Sequence, residues 1–209
     1  MRIVCISDTH GMHRQIQVPE GDLLIHAGDS LARGTLDDLE DLDDWLAGLP
    51  HRHKILIAGN HDWCFQDEPE EARDLLKHAC YLQDGGIEIE GFRFWGSPWT
   101  PVFFNWAFNL ERGEALAERW ARIPENLDVL ITHGPPAGIL DIVPDAKGEL
   151  SVGCEELATA VENRQPRLHI FGHIHESYGQ KRQGNSLFVN ASTCTGSFKP
   201  LNPPVVLDL

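Results

Sequence analysis

One pattern, repeated five times, narrows what this chain can fold into. Residues 54–63 read KILIAGNHDW, a run of apolar strand formers that stops abruptly in an amide, an imidazole and a carboxylate. RIVCISDTH closes the same way on Asp8 and His10, DLLIHAGDS on Asp29, DVLITHGPP on His133, and RLHIFGHIH on His173 and His175. Each run is short, β-branched or leucine-rich, and shows little polar alternation, as expected of strands buried on both faces of a helix-covered sheet. In such sheets ligands bind outside the carboxyl ends of the strands. The five endings are therefore expected to converge on one spot.

The 209 residues are 42% hydrophobic and 23% charged, enough for one sizeable core, and a single domain over 1–209 is expected. No apolar run approaches the roughly 18 residues of a membrane helix. One early Arg followed by Asp8 does not suit a signal peptide, so no membrane partner is expected. The formal net charge of −15 argues against a nucleic-acid partner, which calls for a basic face. Part of the acid excess is local, because LDDLEDLDDW puts six carboxylates on what reads as one solvated helix face. Cys5, Cys64, Cys80, Cys154 and Cys194 are scattered without paired spacing and read as free thiols in a reducing cytoplasm.

Strands are expected near 2–7, 22–27, 54–58, 87–96, 127–132, 167–171, 177–190 and 204–208. The 87–96 segment turns at Glu90-Gly91, and Gly184-Asn185 offers a second hairpin turn. Helices are expected at 36–48, 69–79, 111–121 and 153–163. Thr35 with Asp38 resembles an N-cap with an acidic first turn, and Pro69 with Glu70 and Glu71 suits another helix start. The order of elements suggests mixed sheets with helices outside.

The strand endings supply seven possible metal ligands: Asp8, His10, Asp29, Asn60, His133, His173 and His175. If Asp29 bridges, two ions receive four protein ligands each. Oxygen and imidazole ligands without sulfur suit Mn²⁺ first, with Fe or Zn²⁺ as alternatives, in an open catalytic site. They do not suit a closed structural zinc site. Two divalent ions outweigh the charges of Asp8 and Asp29, so the centre stays cationic and fits a phosphate ester. Paired ions lower the pKa of bound water, which supplies an attacking hydroxide, and clamp the attacking and leaving oxygens. His61 adjoins Asn60, does not easily share its coordination direction, and is placed to protonate the leaving oxygen. Asp62 is a candidate to orient it, although neighbouring side chains often point apart. His13, His26, His51, His53, His78 and His169 read as structural histidines. Most rings of WGSPWTPVFFNWAF read as plugs under a long loop, with Trp99, Asn105 and Trp106 kept as pocket candidates on which a base could stack.

Together DTH, GD, GNHD, THGPP and GHIH resemble the calcineurin-like metallophosphoesterases, over residues 8–175. The resemblance implies an α/β fold, a four-layer αββα sandwich of two mixed β-sheets flanked by helices. It implies one ion on Asp8, His10, Asp29 and His175 and a second on Asp29, Asn60, His133 and His173, with His61 as the leaving-group or transition-state histidine. GSPWTP, NWAFNLERG, THGPPAGILD and NASTCTGSFKPLNPP are similar, more narrowly, to the metallophosphoesterase-domain-containing subgroup, associated with hydrolysis of phosphodiesters including cyclic nucleotides. Some animal members of that subgroup carry Gly where this chain keeps His173, so the full metal set is expected here. One departure matters. The protein serine/threonine phosphatases extend G-D to G-D-x-x-D-R-G, and their second Asp pairs with the catalytic His. Here the stretch is GDSLARG: Ala32 replaces that Asp, while Arg33, a substrate-binding candidate, and Gly34 match. The departure disfavours a protein phosphatase and leaves open what orients His61.

The expectation is a dinuclear metal-dependent phosphodiesterase acting on a small or nucleotide-like ester, cyclic nucleotides among them. A phosphomonoesterase, or a non-catalytic metal-binding scaffold of the same fold, are the alternatives.

Overall fold

The computed structural model describes residues 1–146 and 148–209. The first half runs β1 (Arg2–Ile6), β2 (Leu23–Ala27), α1 (Leu36–Ala47), β3 (His53–Ile57), α2 (Cys64–Asp67), α3 (Pro69–Leu75) and β4 (Cys80–Tyr81). The second continues through β5 (Gly85–Ile89), β6 (Phe92–Ser97), β7 (Thr100–Pro101), β8 (Asn109–Leu110), α4 (Glu114–Trp120), β9 (Val129–Thr132), β10 (Ile142–Asp145) and β11 (Gly148–Ser151). It closes with α5 (Glu155–Arg164), β12 (Leu168–Phe171), β13 (Gly179–Gln183), β14 (Ser186–Asn190) and β15 (Val205–Asp208).

Two mixed sheets result. The first has the order β15-β1-β2-β3-β4 and the second β13-β14-β12-β9-β6-β5. Within them β1, β2, β3 and β4 run parallel, as do β6, β9, β12 and β14, while β15, β13 and β5 are antiparallel edges. Alternate side chains of both sheets meet in one core, where Ile3, Ile25 and Ile57 pack with Val129, Ile170 and Val189. The opposite set of the first sheet, Val4, Leu24 and Leu56, packs under α1 with Leu39, Leu42 and Leu46. The opposite set of the second, with Leu130 and Phe171, packs under α4 and α5 through Leu116, Trp120 and Leu157. Both sheets are thus covered on both faces, which is why their central strands carry unbroken apolar runs. The layers are helix, sheet, sheet, helix.

Several local readings shift. Thr35 caps α1 reciprocally with Asp38, a capping box. The acidic face of α1 is not wholly solvated, however. Asp43 is buried and accepts from the backbone N–H groups of Lys77 and His78 and from the His78 ring. That clamp ends α3 at Leu75, short of the expected 79, by drawing residues 77–78 out of helical register. Asp41 is likewise paired, with Arg14 and His13. β10 and β11 form a ribbon outside the expected strands; its residues are nearly all exposed and bury no alternating face. β7 and β8 pair across the aromatic loop and close its neck. All five cysteines are free thiols, and among the described residues no helix is long and apolar enough to cross a membrane.

Candidate metal centre

Because β1, β2 and β3 are parallel neighbours and β9 and β12 are parallel neighbours, the five polar endings leave their sheets at corresponding edges. A bridge between Ser7 and Ser192 joins those edges. Cross-sheet hydrogen bonds then fix the ligands: His173 N–H donates to Asp8 (3.0 Å), and His133 Nδ1 lies 3.0 Å from the Ala27 carbonyl. The turns are tight enough to force strained backbone. Asp8, His10, Asp29 and His173 all have positive φ, at 53°, 44°, 52° and 68°. Such conformations cost non-glycine residues on the order of 1–3 kcal/mol and cluster at functional sites.

Two ligand groups form. Asp8, His10 and His175 bring one ligand atom each to within 4.8 Å of one another, and Asp29, His133 and His173 do the same. Asn60 joins the second group, its Oδ1 lying 2.9 Å from His133 Nε2. Asp29 faces both ways: Oδ1 is 3.4 Å from His133 and Oδ2 is 4.0 Å from His10. All seven expected ligands are thereby brought together. Neighbouring backbone must come very close. A Cβ on Gly59 would sit 2.3 Å from Asp29 Oδ1, and one on Gly172 would sit 2.1 Å from Asp8 Oδ2, so only glycine fits at either position.

The donor chemistry fits divalent ions. His133 Nδ1 faces the Ala27 carbonyl and must donate to it, so the neutral ring presents a bare Nε2 to two further lone-pair atoms, Asn60 Oδ1 and Asp29 Oδ1. His175 repeats the arrangement, with Nδ1 on the Thr195 carbonyl and Nε2 3.4 Å from Asp8 and 3.2 Å from His10 Nε2. Such convergence of lone pairs calls for positive charge between them. The titration behaviour of the protein alone says the same. Burial works against charge throughout, yet the imidazoles around Asp8, His175 first, hold its carboxyl well below the usual range. Asp29 is also lowered, against its burial, chiefly by His133. Burial lowers His133, but Asp29 overcomes it and carries the ring to about 9. His173 is lowered to about 4 by burial and then by its neighbour His133.

His61 stands over this centre. Its N–H donates to Asp29 Oδ1 (2.8 Å), its ring stacks on Trp106 at 4.3 Å and 28°, and it meets His10 edge-on at 4.7 Å. Trp106 therefore supplies the orientation that the sequence left open at Ala32. His61 also forms a close group with His10 and Asp29, so its ring nitrogen lies nearer the ligand atoms than its adjacency to Asn60 suggested. Asp62 has a different job from the one expected. Its buried carboxylate accepts from Gly59 N–H (2.8 Å), Leu31 N–H (2.9 Å), and the N–H and hydroxyl of Ser30 (both 3.2 Å). It ties the turn after β2 to the turn after β3, and among the described residues it makes no bond to the His61 ring. Burial and then the charge of Asp29 raise it to about 7.

The other pocket candidates fare differently. Trp99 donates its indole N–H to Asp84 (3.0 Å) under the Arg119 guanidinium, so it braces the loop from behind. Arg33 and Asn105 are exposed, and among the described residues neither side chain makes a hydrogen bond or ion pair to the ligand set. Two of the histidines read as structural lie away from the ligand set. His26 pairs with Thr9 (3.0 Å) and His169 with Thr132 (2.8 Å), deep in the sheets.

Three contributors escaped the sequence reading. Ser192 donates to Asp8 Oδ2 (2.8 Å), the Thr195 carbonyl fixes the His175 tautomer, and Phe198 lies edge-on to His10 and His175. All follow β14, whose run SLFVN also ends in polar residues, AST. That sixth ending offers hydroxyls in place of ligands.

A sequence profile of the calcineurin-like phosphoesterase family matches residues 1–177. The chain is 47% identical to metallophosphoesterase domain-containing protein 1 of Homo sapiens, over all of this chain and 71% of that protein. It is 30% identical to a probable cyclic nucleotide phosphodiesterase of Synechococcus sp., over 77% of this chain and 60% of that one. The structure of a novel archaeal phosphodiesterase superposes with a TM-score of 0.54 at 18% identity, covering all of this chain and 93% of that one.

Proposed function

The chain belongs to the calcineurin-like phosphoesterases, and from that membership we propose that it hydrolyses small phosphodiesters at a two-metal centre. The observation that carries the reading is Asp29, whose two oxygens face the two ligand groups in opposite directions. Asp8, His10 and His175 would hold one divalent ion, and Asn60, His133 and His173 the other, with Asp29 shared. Mn²⁺ is the first candidate by donor type, with Fe or Zn²⁺ behind it. Two such ions supply an activated water and a clamp for the attacking and leaving oxygens.

The chain's own residues do the rest. With only two carboxylates among seven candidate ligands, two divalent ions would leave the site net positive, which would attract an anionic diester. His61 stacks on Trp106 close to His10 and Asp29, and because seven other residues already offer four donors to each ion, it serves as the proton donor to the leaving oxygen. Asp62 keeps the Asp29 and Asn60 turns in register. Ala32, in place of the protein-phosphatase Asp, supports diesters over phosphoproteins. Cyclic nucleotides enter as candidate substrates through the name of the Synechococcus relative. The five free thiols support a cytoplasmic setting.

Anomalous scattering and metal counting on Mn²⁺-loaded protein test the centre, with two ions expected. Hydrolysis of bis(p-nitrophenyl) phosphate against p-nitrophenyl phosphate in one buffer tests the reaction. A single ion with Asn60 and His133 free of metal overturns the two-metal reading, and preference for the monoester makes the protein a phosphomonoesterase.

A further inference from the structure

We propose that a pocket beside His173 seats an uncharged, apolar arm of the ester; this rests on the phosphodiesterase reading and specifies which diesters the site selects. The pocket encloses about 330 Å³, within the size range of ligand-holding clefts. Val102, Phe103, Val143, Val152 and Ile174 line it, and His173 forms the wall shared with the second ligand group. The pocket therefore adjoins the centre at His173, and a group bonded to phosphorus would pass that ring to enter it.

Its polar lining is already engaged. Arg112 pairs with Glu155 and donates to the carbonyls of Gly153 (2.9 Å) and Val152 (3.0 Å). Cys154 accepts from the Leu157 N–H and donates to Glu156. Among the described residues that line the pocket, none offers a free cation for a second phosphate or a carboxylate, or a free side-chain donor for the edge of a base. What remains is apolar surface, which gains from covering an alkyl or other non-polar chain.

The pocket opens onto apolar surface that the fold leaves in water. Val102 and Phe103 are 47% and 56% exposed, and Phe104 next to them 78%. On the ribbon of β10 and β11, Leu150 is exposed beside its cross-strand partner Val143, a lining residue. Both rims are fixed to the centre. β7 and β8 close the neck of the aromatic loop, and Ile142 exchanges hydrogen bonds with the Ser177 hydroxyl, two residues past His175. Exposed apolar patches of this kind mark binding surfaces. A docked protein would cover the rim but leave the pocket behind it unfilled. A chain running from the phosphorus through the pocket and over the rim covers both.

The test is a series of p-nitrophenyl phosphodiesters whose second arm is methyl, butyl, octyl or thymidine, assayed with Mn²⁺ below their micellar concentrations. Within the alkyl series kcat/KM is expected to rise roughly threefold per methylene until the pocket is filled. Binding supplies a second readout. Octylphosphonate, which cannot be hydrolysed, should bind the Mn²⁺-loaded protein at least tenfold more tightly than methylphosphonate by calorimetry. Phe103→Ser and Val143→Ser, both at partly exposed positions, should each lower the octyl-to-methyl ratio in turnover and in binding. A flat alkyl series, equal phosphonate affinities, or a thymidine arm preferred to octyl overturns the pocket assignment. Failure to cleave even the methyl diester overturns the phosphodiesterase reading instead, and the phosphonate comparison still decides the pocket.

Discussion

The two sheets face the same centre with different chemistry. The turns after β1, β2 and β3 carry both carboxylates, the amide, one imidazole ligand candidate, His10, and His61. The turns after β9 and β12 carry imidazoles alone, His133, His173 and His175. The first sheet thus sets the charge of the site, and the second supplies neutral ligands. Each sheet also braces the other. Asp8 is held by His173 N–H and Ser192 from the second sheet, while His133 is held by the Ala27 carbonyl of the first. Closing the gap between the sheets is what assembles the centre, and neither sheet carries it alone.

If charge is the first sheet's contribution, its carboxylates should matter most. Asp29→Asn, which removes charge from both ligand groups, is expected to abolish stable binding of two ions and to reduce turnover by well over the roughly 10- to 100-fold that loss of a supporting partner costs. Asp8→Asn should lose less, and His173→Asn on the second sheet less again. Metal content and turnover of the three variants check the order. Equal losses with both ions retained would break the comparison.

His61 sharpens it, as a first-sheet residue that adjoins His10 and Asp29 beyond the seven candidate ligands. His61→Asn should keep both ions and lower turnover roughly 10²- to 10⁴-fold, the usual contribution of a general acid. The loss should shrink for an ester with a p-nitrophenyl leaving group relative to one with an alkyl leaving group. Equal factors for the two would leave His61 a phosphate-binding role only.

The bracing between sheets should have a smaller effect confined to one ligand group. Ser192→Ala removes the hydroxyl on Asp8 Oδ2 and is expected to weaken binding of the ion held by Asp8 by roughly 10- to 100-fold, leaving the other unchanged. Stepwise titration with Mn²⁺ followed by calorimetry separates the two.

The smallest effect compares the sheet interiors, where each sheet buries one histidine on a threonine, His26 on Thr9 and His169 on Thr132. Burial lowers each from 6.5 to about 3. A depressed histidine contributes stability that is complete above pH 6.5 and is lost as pH falls toward 3. His26→Gln and His169→Gln should each flatten the fall in melting temperature across that window, by a few degrees. An unchanged slope in either variant removes that histidine from the account.

Much of this was legible in the chain. Strands buried on both faces must be apolar throughout, so the central strands appeared as unbroken runs, and the polar residues just past them marked the candidate ligands. Less legible were the features set by partners far away in sequence. The end of α3 depends on Asp43 of α1, and the β10–β11 ribbon buries no alternating face.

By itself the sequence determined the layered α/β class and singled out the seven candidate ligands with His61 beside them, because periodicity and residue chemistry are local properties. Only the tertiary structure decided how those residues are held. It turned Asp62 from a partner of His61 into a clamp between turns, moved Trp99 to a brace and Trp106 to the ring that orients His61, and brought Ser192 onto Asp8 across 184 residues. The physical reason is that a buried carboxylate or ring answers to whichever donors and faces surround it in space, and a one-dimensional pattern does not contain those neighbours.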